Sequence, residues 1–249
     1  LRFTAGGARQ YEKPWLLYLA YYLGKYSPNS LAPEAKKMVK GAWSQAPDAG
    51  IAPSYARRLF FISYFMGATF FAFEAQPYGQ VNRLADGTHE LNPNGLVLKE
   101  FYDWTRKNEA ERGTWYAPIL LLNDYYHGSG RRHDSIWGWG KEGFPLQKSD
   151  RMAEHFLRAI DPYDGEPEAW DKPPFSPNIH NSPLGDIFDT AFANPPSGNY
   201  PRLKEYPVIV LIDGYTPDPE QALKLRDYVI NGGTLVINTI HQKSLPSKL

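Results

Sequence analysis

The residue whose type and position most suggest chemistry is Glu74, in the run TFFAFEAQPYGQ from Thr69 to Gln80. Phe70, Phe71 and Phe73 form a short, nearly continuous apolar stretch, the pattern of a strand buried on both faces. A carboxylate directly after such a run is costly to bury alone, so it is either hydrogen-bonded or sits at a rim. Parallel α/β folds bind ligands at that rim. Three roles are therefore open to Glu74: a catalytic or substrate-binding carboxylate, a structural carboxylate paired with an arginine such as Arg83 or Arg9, or a solvated loop residue. Gln76, Tyr78 and Gln80 follow in a loop broken by Pro77 and Gly79. They either hydrogen-bond hydroxyl groups of a ligand or simply make a polar loop.

Trp15, Tyr18, Tyr21 and Tyr22 crowd another apolar run, KPWLLYLAYY. Aromatic side chains there either stack on pyranose faces or fill the core. The chain has no cysteine, which excludes disulfides and thiolate catalysis. His127, His155, His180 and His241 stand without metal-ligand spacing and read as satisfied or exposed side chains, so neither metal nor cofactor is expected. Asn123-Asp124 ends a strand-like run and could form a site. The glycines at 232 and 233 lie between a helix and a strand, the reverse of a phosphate-cradling loop.

Composition narrows the partners. In 249 residues, 27 basic and 27 acidic side chains cancel, leaving no electrostatic reason for nucleic acid or an anionic membrane. No apolar run approaches the roughly 20 residues that span a bilayer. Seventeen tyrosines and seven tryptophans suit a protein that handles sugars or other stackable ligands. The opening Leu1 and the lack of a basic-then-apolar leader make a fragment the expectation, with any secretion signal lost upstream; compartment stays undecided, an exported location being plausible.

These residues need elements to hold them. A Gly/Arg/Gln-rich loop leads to a mostly buried strand within Lys13–Tyr22. Ser54 reads as the N-cap of a helix from about Tyr55 to Met66, with Leu59, Ile62, Phe65 and Met66 at helical spacing. The phenylalanine strand follows. Asn92-Pro93 opens a second helix whose Val97, Phe101 and Trp104 share a face. The mixed-charge run Arg106–Arg112 reads as a solvated helix end. Further strands are expected at Tyr116–Leu122, Val208–Ile212 and Thr234–Thr239, helices at Ser149–Ile160 and from Asp218 to Asn231, and a short helical piece at Phe188–Phe192. Strand, helix and strand from 208 to 239 form a compact βαβ unit.

The pieces KPWLLYLAYY, FFAFEAQPYG and NPNGLVLKEFYDWTRKN, followed by YAPILLLNDYYHG and LRDYVINGGTLVINT, resemble family 42 glycoside hydrolases and their relatives in the (β/α)8 clan of retaining glycosidases. The resemblance implies an α/β chain. Residues 1–111 would be the C-terminal part of a TIM barrel, and residues 112–249 a flavodoxin-like three-layer domain similar to class I glutamine amidotransferases. It also implies a carbohydrate substrate with a β-linked sugar, cleaved by a carboxylate pair. The acid/base would lie upstream of Leu1. If KPWLLYLAYY is the seventh strand, the nucleophile position falls near Leu19, and Glu74 sits on the eighth strand; if FFAFEAQ is the seventh, Glu74 is the nucleophile. Trp15, Tyr18, Tyr22, Gln76 and Tyr78 would contact substrate. Without cysteine, glutaminase chemistry is excluded, and the second domain would serve homo-oligomerisation. The competing expectation is a non-catalytic carbohydrate-binding or assembly protein that has lost its nucleophile.

Overall fold

The computed structural model describes residues 1–20, 53–74, 80–127, 131–132, 135–136, 144–145, 147–160, 187–243 and 245. In chain order the elements are α1 (Arg2–Gln10), β1 (Leu16–Ala20), α2 (Pro53–Phe65), β2 (Phe70–Glu74), β3 (Val81–Arg83), β4 (His89–Leu91), α3 (Pro93–Lys107) and β5 (Ile119–Asn123). There follow three two-residue strands, β6 (Arg131–Arg132), β7 (Ser135–Ile136) and β8 (Phe144–Pro145). The last are α4 (Lys148–Ile160), β9 (Phe188–Phe192), β10 (Val208–Leu211), α5 (Pro219–Ile230) and β11 (Thr234–Val236). Helices alternate with the parallel strands β1, β2, β5, β9, β10 and β11, an α/β chain, while β3–β4 and β6–β7–β8 pair antiparallel. Among the described residues no helix is long and apolar enough to cross a membrane.

Two compact units emerge. Among the described residues the smaller falls within Pro14–Trp115, and the larger takes Leu1–Lys13 and the residues from Tyr116 onward. The smaller is thus inserted, in chain order, between α1 and β5 of the larger.

In the smaller unit β1 and β2 run parallel, Leu16 opposite Phe70 through to Ala20 opposite Glu74. The alternation of the strands sorts their side chains. Leu17 and Leu19 are buried, while Leu16, Tyr18 and Phe70 are about half exposed or more. The phenylalanine strand was expected to be buried on both faces and its partner to be mostly buried; one face is instead open among the described residues. On the covered face Phe71 and Phe73 meet the ring of Phe60 from α2, which stacks on Phe101 from α3. Helix α2 begins at Pro53, so Ser54 lies inside the first turn rather than at the cap. Its buried face is Ala56, Leu59, Phe60, Ser63 and Tyr64, shifted from the Leu59–Ile62–Phe65 stripe that spacing predicts because Phe60 is drawn into the aromatic cluster. Helix α3 starts as its sequence predicts, Asn92 Oδ1 accepting the Gly95 amide at 2.9 Å with Pro93 in the first turn. The charged run after it is solvated except at its end. Arg112 donates to the carbonyls of Tyr64 and Ala68, at 2.7 and 2.8 Å, and its guanidinium lies 4.2 Å from the Tyr64 ring centre. It thereby caps the carboxyl end of α2, whose last carbonyls have no helical partners.

The larger unit is built on a four-stranded sheet in the order β11-β10-β5-β9, every pair parallel. The chain lays β9 on one side of β5 and β10 on the other, so winding reverses between β5 and β10. Leu121, Phe188, Val210 and Ile212 form a core on one face with Ala153, Phe156 and Leu157 of α4. On the other face Leu122 lines a cavity together with Leu225 and Tyr228 of α5. Helix α5 opens with the capping box expected at Asp218 and Gln221, and the β10–α5–β11 unit matches the sequence reading.

Two elements differ from expectation. Phe188–Phe192 is a strand, paired residue for residue with β5; five residues are too few to carry a period that separates strand from helix, and the open edge of β5 decides. Leu1 to Gln10 contains a helix, α1, despite its two glycines. Gly6 serves contact: a β-carbon there would come 2.1 Å from the Thr190 carbonyl oxygen, so only glycine at that position lets α1 lie against the backbone of β9. Gln10 then pairs with the free edge of that strand. Its amide nitrogen donates to Phe192 O at 2.8 Å and its amide oxygen accepts Phe192 N–H at 2.9 Å, as a neighbouring strand would. Arg9 bonds Asp189, which also accepts the Tyr206 hydroxyl at 2.8 Å.

Candidate functional site

In the smaller unit the carboxyl ends of β1 and β2 converge at Ala20 and Glu74, the last residue of its strand. Trp15 stands at the opposite end, where its carbonyl accepts the Thr69 amide at 3.0 Å, and it is buried. The structure therefore separates Trp15 from Glu74 by the length of the strands. Tyr18 lies mid-strand opposite Ala72, 58% exposed. Tyr22, Gln76 and Tyr78 fall outside the described residues. Gln80 is buried, and its carbonyl accepts the Asn92 amide at 2.9 Å, anchoring the start of α3. Arg9, one of the partners considered for Glu74, is engaged by Asp189 in the larger unit.

A second polar constellation gathers at the carboxyl ends of β5 and β10 in the larger unit, where winding reverses. Folds of this kind bind ligands in such a crevice. Asp213, with no exposed surface, accepts the amides of Asp124 and Tyr215 at 2.5 and 2.9 Å, clipping the two strand ends together. Burial pushes its carboxyl above the usual range, and those two amides only partly offset this. The Asp213 carbonyl meets His241 Nε2 at 2.8 Å, and His241 Nδ1 accepts the Asn238 amide at 3.0 Å. That pattern fixes the neutral tautomer with its proton on Nε2. Burial holds the imidazole below its ordinary range.

His127 and Asp150 form the pair with acid–base capacity here, Nδ1 to Oδ1 at 3.1 Å. Asp150, nearly buried at the start of α4, also accepts the Gln147 amide at 2.8 Å. A carboxylate so placed orients the ring and leaves Nε2 for other partners. Asp124 accepts the Tyr126 amide at 2.8 Å, and Asn194 Oδ1 accepts the Tyr125 amide at 2.8 Å. Asn123, buried to 1%, donates to the carbonyls of Asp124 and His127 while its Oδ1 has no partner. No group of three potential metal ligands occurs among the described residues.

Asn123-Asp124 was legible as a strand end in sequence. The His127–Asp150 pair was not, since the two residues lie 23 positions apart with no spacing that signals a pair. His241 fits the expectation of a satisfied side chain.

Comparison with known proteins gives no match to a family model and none among curated proteins. Among solved structures the chain is similar to alpha-L-fucosidase isoenzyme 2 from Paenibacillus thiaminolyticus, with 14% identity and a TM-score of 0.45 over 95% of this chain and 26% of that one. It is also similar to exo-beta-1,4-mannosidase Op5Man5 from Opitutaceae bacterium strain TAV5, with 11% identity and a TM-score of 0.40 over 76% of this chain and 30% of that one. The chain spans less than a third of the length of either structure, and at these scores the likeness sets neither family nor chemistry.

Proposed function

We propose that the chain is part of a glycoside hydrolase-like protein acting on a β-linked sugar. In this reading β1 and β2 are the last two strands of a (β/α)8 barrel, and residues 112–249 form a flavodoxin-like, amidotransferase-like domain without its nucleophile. The observation that carries the proposal is the parallel β1–β2 pair, joined through α2 and followed by α3, with Glu74 closing β2 at the end where such barrels hold their sites. The strand order of the larger unit, with its reversal between β5 and β10, supports the second half of the reading.

The test is hydrolysis of a panel of aryl β-glycosides by the whole protein that carries this chain, beside its Glu74→Gln variant. A loss of about three orders of magnitude or more in kcat assigns Glu74 to the catalytic carboxylates. A raised KM with kcat retained makes it a sugar-binding residue. No hydrolysis by the parent protein overturns the enzyme reading and leaves the second one, a carbohydrate-binding or assembly protein. One observation favours that second reading: Leu19, where the resemblance implies a nucleophile, is a buried apolar side chain opposite Phe73.

A further inference from the structure

The connection from β9 to β10 holds one three-residue 3₁₀ turn, Leu203–Glu205, where a doubly wound sheet ordinarily lays a helix. A cavity of about 700 Å³ is left over Leu122, between that connection and α5. Its volume lies within the roughly 300–1,000 Å³ of small-molecule sites. Tyr215 reaches its wall from the end of β10. The residue is 3% exposed, and its hydroxyl has no hydrogen-bond partner. Leaving such a group unpaired is costly, and a ligand oxygen would relieve it. Burial, with Asp218 and Tyr200 nearby, drives the phenol far above its ordinary range, so it stays a neutral donor.

The charges around the cavity identify the ligand class. Arg202 is already paired with Glu12 and Glu205, and Lys224 with Glu220 at 2.8 Å while lying 3.5 Å over the Tyr200 ring centre. Lys204, the third cation of the lining, shares it with the carboxylates Glu205 and Asp227, so the cavity as a whole carries little net charge to draw an anion. A mixed rim of donors and acceptors above tyrosines suits an uncharged ligand rich in hydroxyls.

We propose that this cavity is a binding site for a neutral mono- or oligosaccharide, with the Tyr215 hydroxyl donating to a sugar oxygen. The site lies within the larger unit and does not depend on hydrolysis at Glu74.

Calorimetric titration of the protein with glucose, galactose, mannose and cellotriose tests it. At least one sugar is expected to bind saturably, and Tyr215→Phe is expected to weaken that binding about five- to tenfold, as loss of one hydrogen bond does. The same variant should melt at the parent temperature or higher, because its hydroxyl has no protein partner to lose. Ala193→Phe, which fills the cavity, should abolish binding in a protein whose circular dichroism is unchanged. Binding that survives both variants but is lost in Glu74→Gln belongs to the other unit and overturns the proposal. So does the absence of saturable binding below roughly 10 mM for all four sugars, or saturable binding of inorganic phosphate in their place. Hydrolysis lost in Glu74→Gln while cavity binding persists would support both readings separately.

Discussion

The ring of Tyr228 lies so close to Gly233 that a β-carbon at residue 233 would come within 2.2 Å of its Cζ. The ring is held in place, since the Tyr228 hydroxyl reaches the carbonyls of Tyr206 and Pro207 at 2.9 and 2.8 Å. Gly233 also donates its amide to Tyr228 O at 3.0 Å, and Gly232 donates to Val229 O at 2.9 Å. The two bonds close α5 as a Schellman motif, with Gly232 at φ +94°. Gly233→Ala should therefore cost about 3 kcal/mol, an overpacking penalty against a fixed ring. Gly232→Ala should cost about 1 kcal/mol, the penalty of a left-handed backbone. Urea denaturation of both variants checks the order; a larger loss for residue 232 would show that the ring yields.

The ion pair between Arg9 and Asp189 is the next point of leverage. Asp189 is 1% exposed, so Arg9→Ala leaves a buried carboxylate that keeps the hydrogen bond donated by the Tyr206 hydroxyl. A loss of about 3 kcal/mol is expected. Adding Asp189→Asn should recover part of it by removing the charge, and a double-mutant cycle measures the coupling.

In the smaller unit Arg112 ties the Tyr64 carbonyl in the last turn of α2 to the Ala68 carbonyl just beyond it and covers the Tyr64 ring. Lysine offers a point charge in place of the planar fork. Arg112→Lys should lower stability by about 1–2 kcal/mol through lost bonds and stacking. Hydrogen exchange should report the change as faster exchange of amides near the carboxyl end of α2.

His241 makes the larger unit sensitive to acid. Its folded pKa lies below the unfolded value of 6.5, so near pH 6 the unfolded chain binds more protons. The stability from the neutral ring is complete above pH 6.5 and is lost as pH falls through the folded pKa. Protonation of Nδ1 also ends its bond from the Asn238 amide. Urea midpoints should decline from pH 7.5 to 5.5, and His241→Gln, which keeps an acceptor and a donor without titrating, should flatten the slope. Asp213, whose folded pKa is raised, contributes with the opposite sign, its stabilisation being lost as pH rises above the ordinary carboxylate range.

Much of the fold was legible where local chemistry and burial agree. Asn92-Pro93 and Asp218 to Gln221 mark helix starts because capping is a short-range bond, and Asn231-Gly232 marks a stop for the same reason. Elements fixed by distant partners were not legible. Strand β9 takes its form from the edge of β5, and α1 from the backbone it covers. The strand-end position of Glu74 was readable from its apolar run, whereas the His127–Asp150 pair and the Tyr215 cavity arise only once loops from separate strands meet.

The Gln10 side chain bonds Phe192, 182 positions later. An amide made early must therefore wait while the whole inserted unit and β5 emerge, on the order of ten seconds or more at ~5–20 residues per second. Until then α1 has no strand to cover, and afterwards β9 has no exposed edge on that side for another chain to extend. The same contact that delays completion of the larger unit also protects it against edge-to-edge aggregation.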